Sequence, residues 1–193
     1  GGQHRIFSGS STSDSTLIYA GAGEVTFPGS IGDNASFSPG TPSLHLTVSS
    51  GSLALRPALV ANSYSGTTTV KSGASLTIQS DHAGGGPVVV EDGGTFAVIV
   101  TAAGSTMAAT SASFGTSSGC SLNLNLGSLG NPTAAPITTG TLSARGTVTL
   151  NLSGVGLLNG QFPLIAHGGS IGGSGFSAFK LGPLPPGVVS AYL

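Results

Sequence analysis

Apolar and polar residues alternate with a period of two along most of this chain. Leu44, Leu46 and Val48 fall on one face with His45 and Thr47 opposite, and the pattern recurs at Leu53/Leu55, Leu76/Ile78, Phe96/Val98/Val100, Leu122/Leu124/Leu126 and Val148/Leu150/Leu152. No window of helical length carries a 3.6-residue apolar stripe, so the class is all-β with one face of each strand buried and the other wet. Leu76, Phe96, Leu122, Leu124, Val148 and Leu150 are the expected stacked core. Cys120, the single cysteine, shares parity with Leu122 and Leu124 and is expected to be a buried, inert thiol.

The strands are introduced by a repeating signal. Gly51-Ser-Leu-Ala-Leu, Gly73-Ala-Ser-Leu-Thr-Ile, Gly94-Thr-Phe-Ala-Val, Gly119-Cys-Ser-Leu-Asn-Leu and Gly146-Thr-Val-Thr-Leu succeed one another at intervals of 22, 21, 25 and 27 residues. Self-similarity at such a period marks stacked units that cannot bury their apolar edges alone. The expected architecture is a right-handed parallel β-helix, or β-solenoid, with a β-sandwich as the alternative. Coils of roughly 22 to 25 residues at about 4.8 Å per level would give on the order of 8 coils and about 40 Å of rise. Outward Asn123/Asn125 and Thr147/Thr149/Asn151 are placed to form hydrogen-bonded ladders between coils. Residues 1–20, with their Ser/Thr-rich run, read as an N-terminal arm and 21–193 as the solenoid domain.

The run Ala61-Asn-Ser-Tyr-Ser-Gly-Thr-Thr-Thr-Val-Lys-Ser-Gly-Ala-Ser-Leu-Thr-Ile resembles the autotransporter-associated β-strand repeat, Asn-x-Tyr-x-Gly-x-Thr-x-Val followed by a Gly-containing spacer and Leu-x-Val. Asn62, Tyr64, Gly66, Thr68, Val70, Gly73 and Leu76 carry the match. The stretch from Phe162 to Val188 is similar to the segment that often follows such repeats in large secreted bacterial proteins. The resemblance implies a parallel β-helix exposed outside a bacterial cell, with no catalytic residues belonging to the repeat.

Composition narrows the chemistry. Charged residues make up 6% of the 193 residues, where soluble domains carry about 25%, while a mean hydropathy of +0.35 supplies enough apolar surface to fold. A net charge of −1 gives no footprint for nucleic acid, and no apolar run approaches the roughly 20 residues that span a bilayer. The start lacks the n- and h-regions of a signal peptide, so a secreted chain is expected to have its signal elsewhere or removed. Asp14, Glu24, Asp33, Asp81, Glu91 and Asp92 are scattered rather than gathered for acid/base work. The adjacent pair Glu91-Asp92 reads as a solvated turn. His4, His45, His82 and His167 lack metal-ligand spacing and read as exposed or locally hydrogen-bonded. Tyr64, the candidate aromatic platform for sugar, reads first as a turn residue of the repeat. Asn34-Ala-Ser and Asn151-Leu-Ser match the glycosylation sequon formally. No catalytic, cofactor or metal site is expected.

A solenoid has two open ends whose backbone groups template further strands unless blunted. Neither end of this sequence carries a helical cap, and Arg5, Ile6 and Phe7 at the beginning, with Val188, Val189, Tyr192 and Leu193 at the end, are apolar β-formers suited to a neighbour's sheet. The expected function is a structural subunit of an extracellular bacterial filament or sheath, its partner being itself. The alternative is an adhesin or passenger stalk, a binding module for a polysaccharide or cell surface.

Overall fold

The computed structural model describes residues 4–9, 12–33, 42–188 and 190–193. Its strands are β1 (Arg5–Phe7), β2 (Ser15–Phe27), β3 (Ser30–Gly32), β4 (Leu44–Leu55), β5 (Thr68–Val70), β6 (Ser75–Gln79), β7 (Val88–Val90), β8 (Thr95–Ile99), β9 (Met107–Phe114), β10 (Ser121–Asn125), β11 (Ile137–Ala144), β12 (Val148–Ser153), β13 (Ile165–His167), β14 (Gly172–Gly173) and β15 (Phe179–Leu181). The helical content of the described residues is one 3₁₀ turn, Gly175–Ala178.

The strands stack in three parallel columns, each turn of chain laying one rung on each side. The third side is the most regular, running from 24–27 of β2 through 52–55 of β4 to β6, β8, β10, β12 and β15. The second side runs from 15–19 of β2 and 44–48 of β4 through β5, β7, 112–114 of β9 and 141–144 of β11 to β14. On the first side β1 pairs with β3, Ser63 bridges Gly32, Gly85 bridges Ala109, and the rungs continue through β11 to β13. Every ladder is parallel, which excludes a sandwich built of antiparallel hairpins. The fold is an all-β parallel solenoid of about six turns.

Six turns fall short of the eight that the repeat interval implies. In the third side, Glu24, Ser52, Ser75, Thr95, Ser121, Thr149 and Lys180 stand in one column, so a turn takes 20 residues between Ser75 and Thr95 but 31 between Thr149 and Lys180. The excess sits in corner loops such as 126–136 and 154–164, which add residues without adding a rung. The rise from the first to the last level is therefore about 29 Å at about 4.8 Å per step.

The core follows the strand parity. Leu76, Phe96, Leu122, Leu124, Val148 and Leu150 are all buried, and Val25, Leu53, Leu76, Phe96, Leu122, Leu150 and Leu181 form one interior column. Full burial of each such side chain contributes about 1.5–3 kcal/mol before entropy is counted. Between the second and third sides the chain turns at a glycine in the left-handed region in each middle coil: Gly51, Gly73, Gly93, Gly119 and Gly146. The repeat glycines thus mark a single stacked corner, with Gly93 rather than Gly94 taking the positive φ. At Gly119 (φ +102°) a Cβ would also stand 1.9 Å from the Thr147 carbonyl oxygen, so the coils approach too closely there for any side chain.

The solenoid's sheet already includes Ser15. Strand β2 runs across position 20, and 15–19 pair with β4 in register, so residues 15–20 belong to the sheet rather than to a detached arm. Tyr64 departs from its reading as a turn residue. It is fully buried, its hydroxyl 2.9 Å from Thr68 Oγ1, because the first side turns Asn62 and Tyr64 inward while Ser63 and Ser65 stay exposed. His82, expected to be exposed or locally bonded, is also buried, its ring centroid 4.7 Å from that of Tyr64.

Candidate functional site: corner carboxylates and two open ends

The polar side chains are spent on joining coils. Asp92 accepts hydrogen bonds from the Thr116 N–H (2.8 Å) and hydroxyl (2.6 Å), the Ser117 N–H and hydroxyl, and the Gly119 N–H (2.9 Å), all from the next coil. Those donors, led by the Thr116 hydroxyl, hold its carboxyl well below the usual carboxylate range. At another corner Asp33 accepts the Leu44 N–H at 2.7 Å and the Ser65 N–H at 3.0 Å. Asp14 accepts the Ser43 N–H at 2.7 Å and lies 3.4 Å from His45 Nε2, and the first of these contacts does most to lower its pKa. His45 Nδ1 in turn accepts the Thr67 N–H at 2.9 Å, so neither ring nitrogen is free to serve as a base. Glu91 pairs with Lys71 across neighbouring coils.

These groups do not converge. Among the described residues no cluster of three or more His, Cys, Asp or Glu is arranged to hold a metal ion. Cys120 is buried as expected, and burial, with the field of Asp92, pushes its thiol up to about 12. Asn151 donates to Asn123 Oδ1 at 2.8 Å, one rung of the expected ladder, whereas Asn125 turns to accept the Gly127 N–H. The amide of the Asn151 sequon is thus engaged within the sheet, and Asn34 lies outside the described residues. His82 Nδ1 and Gln79 Oε1 are buried without a hydrogen-bond partner. Desolvation lowers the His82 pKa against the opposing pull of the Asn62 backbone and Asp81.

What remains open are the two ends. At the first coil Ile6, Leu17, Tyr19 and Phe27 are only partly buried, and Val25, a member of the interior column, is 47% exposed. Arg5–Phe7, expected to pair with a neighbouring subunit, form β1 and pair in parallel with β3 of their own chain. Their other edge faces outward from the stack, with the Arg5 guanidinium 4.7 Å above the Phe7 ring. At the last coil Leu152, Leu164, Ile165, Ile171, Phe179 and Leu181 are again only partly buried. They line a cavity of about 760 Å³ together with Leu184, Val188, Tyr192 and Leu193. Of the expected C-terminal contact residues, Val188, Tyr192 and Leu193 therefore flank the open end. They make no strand there, since Pro183, Pro185 and Pro186 precede them and supply no ladder N–H. Val189 lies outside the described residues. The sequence pattern missed the coil-end residues Val25 and Leu181, whose parity signal is that of ordinary core.

No helix among the described residues is long and apolar enough to cross a membrane. Comparison with protein-family models, with curated proteins and with solved structures finds no match.

Proposed function

We propose that this chain is a non-catalytic structural subunit of an extracellular bacterial filament or sheath, polymerising head to tail through β-strand pairing. One observation carries the reading: among the described residues each end of the third side has a strand edge with no further strand on it, and the apolar residues there are only partly buried, Val25 at one end and Leu181, which lines a cavity, at the other, where solenoids of single-chain proteins are normally capped or blunted. A contact between unlike ends is heterologous, and unless it closes into a ring it extends as a filament. A surface with 6% charged residues offers little repulsion to approaching copies. The likeness of 61–78 to the autotransporter-associated repeat supports the bacterial, cell-surface setting.

Sedimentation velocity across a concentration series, with negative-stain electron microscopy of the same samples, tests the reading. The expected result is a ladder of oligomers passing into filaments one solenoid wide. A discrete monomer at every concentration would overturn it and favour the adhesin or passenger stalk.

A further inference from the structure

The two ends carry opposite charges in the same column. On the third side the outward-facing positions Glu24, Ser52, Ser75, Thr95, Ser121, Thr149 and Lys180 are successive in-register partners. The five inner members are hydroxyl residues, and only the two terminal ones are charged. Glu24 and Lys180 are both exposed, and neither joins an ion pair among the described residues. Six levels separate them, about 29 Å at about 4.8 Å per level. That distance is several times the Debye length of about 8 Å at physiological salt, so within one chain they do not stabilise each other.

We propose that the occupant of the C-terminal end is the N-terminal end of a second copy, seated so that Lys180 lies beside Glu24 and Leu181 against Val25. This inference rests on the filament reading and adds the joint's register and polarity. With that seating the hydroxyl column and the interior column both pass unbroken from one copy into the next. Val25, half exposed in the single chain, gains the second apolar neighbour that the five inner members of its column already have. A slip of one residue would bring Leu181 to the solvent face and Lys180 to the core face, because strand parity is two. A slip of two would restore parity but leave Lys180 opposite Thr26, with Glu24 unpaired. Contacts between like ends set Glu24 against Glu24 or Lys180 against Lys180, and directly opposed like charges on neighbouring strands are unfavourable. The polarity is therefore head to tail.

A zero-length carbodiimide, which joins a carboxylate to an amine only in direct contact, tests the register on the wild-type chain. Mass spectrometry of the assembled fraction should find a peptide containing Glu24 bonded to one containing Lys180. Because the two are about 29 Å apart within a chain, such a link must be intermolecular. Lys180→Glu should weaken association about fivefold to tenfold, and Glu24→Lys combined with Lys180→Glu should restore it to within about twofold of wild type. Both positions are exposed, and circular dichroism checks that each variant remains folded. Assembly without the Glu24–Lys180 link, and with Lys180→Glu unaffected, overturns this register while leaving the filament reading intact. A wild-type chain that stays monomeric overturns both.

Discussion

The bond between Tyr64 and Thr68 is the sharpest test of how this core is built, because two polar groups are buried together and each supplies the other's partner. Tyr64 is fully buried, Thr68 is 4% exposed, and their oxygens are 2.9 Å apart. Burial pushes the phenol up to about 12, so it is protonated and able to donate at every ordinary assay pH. Tyr64→Phe keeps the ring but strips Thr68 Oγ1 of its partner, and Thr68→Val does the same to the phenol. Each single change should cost about 1.5 kcal/mol, combining a lost hydrogen bond with a buried group left unpaired. Replacing both partners removes the polar groups together, so the double variant should cost about the same as either single one rather than about 3 kcal/mol. Urea unfolding followed by circular dichroism reads all four corners of the cycle, with equal m-values confirming that the same surface is exposed in each. For a chain of this length about 1.5 kcal/mol corresponds to a shift of about 3–6 °C in thermal midpoint. Additive losses in the double variant would refute the pairing.

Two further predictions concern the polar interior and the corner. Burial lowers the His82 pKa below its ordinary value of 6.5, so as pH falls through 6.5 the unfolded chain takes up the proton first, and the stability present above that pH is lost. His82→Phe, which fills the same space against Tyr64 and removes the unpartnered Nδ1, should flatten the fall in urea midpoint between about pH 7.5 and 5; an unchanged slope would clear His82 of the effect. Gly73→Ala meets open space but a φ of +73° and should cost about 1–2 kcal/mol, whereas Gly119→Ala must also displace the Thr147 carbonyl and should lower the thermal midpoint at least twice as far. Equal losses at the two glycines would mean that the coils can spread at that corner.

The third side was legible in the sequence because one face of each of its strands is buried and the other is wet, so a period of two fixes which residues point inward. Leu76, Phe96, Leu122 and Leu124 needed nothing more. The first side was not legible for the same reason in reverse. Its interior includes Asn62, whose Oδ1 accepts the Ile31 N–H at 2.9 Å, and His82, so apolar alternation fails where polar side chains pack inside. The three-residue strands β5 and β7 are too short to announce a separate side, and the number of turns came out high because loop residues count toward the interval but not the rise. The carboxylate partners were hidden by distance along the chain, with Asp92 reaching residues 24 to 27 positions onward.

Those hidden partners explain why the ends matter. A chain with six Asp and Glu side chains has fixed Asp14, Asp33 and Asp92 to backbone N–H groups of the next coil and Glu91 to Lys71, so each stitches a level that already exists. Among the described residues no strand pairs with Glu24 on its outer side, and none with Lys180 on the other. Each sits at the last rung of a column whose inner members are uncharged, beside an interior column that also runs out: Val25 at one end, Leu181 at the other. Desolvating an apolar surface gives adhesion without direction, whereas a single pair of opposite charges distinguishes one register and one polarity from the rest. The same division of labour that holds coil to coil inside the chain, hydrocarbon for cohesion and a carboxylate for alignment, is thus available at the joint between chains.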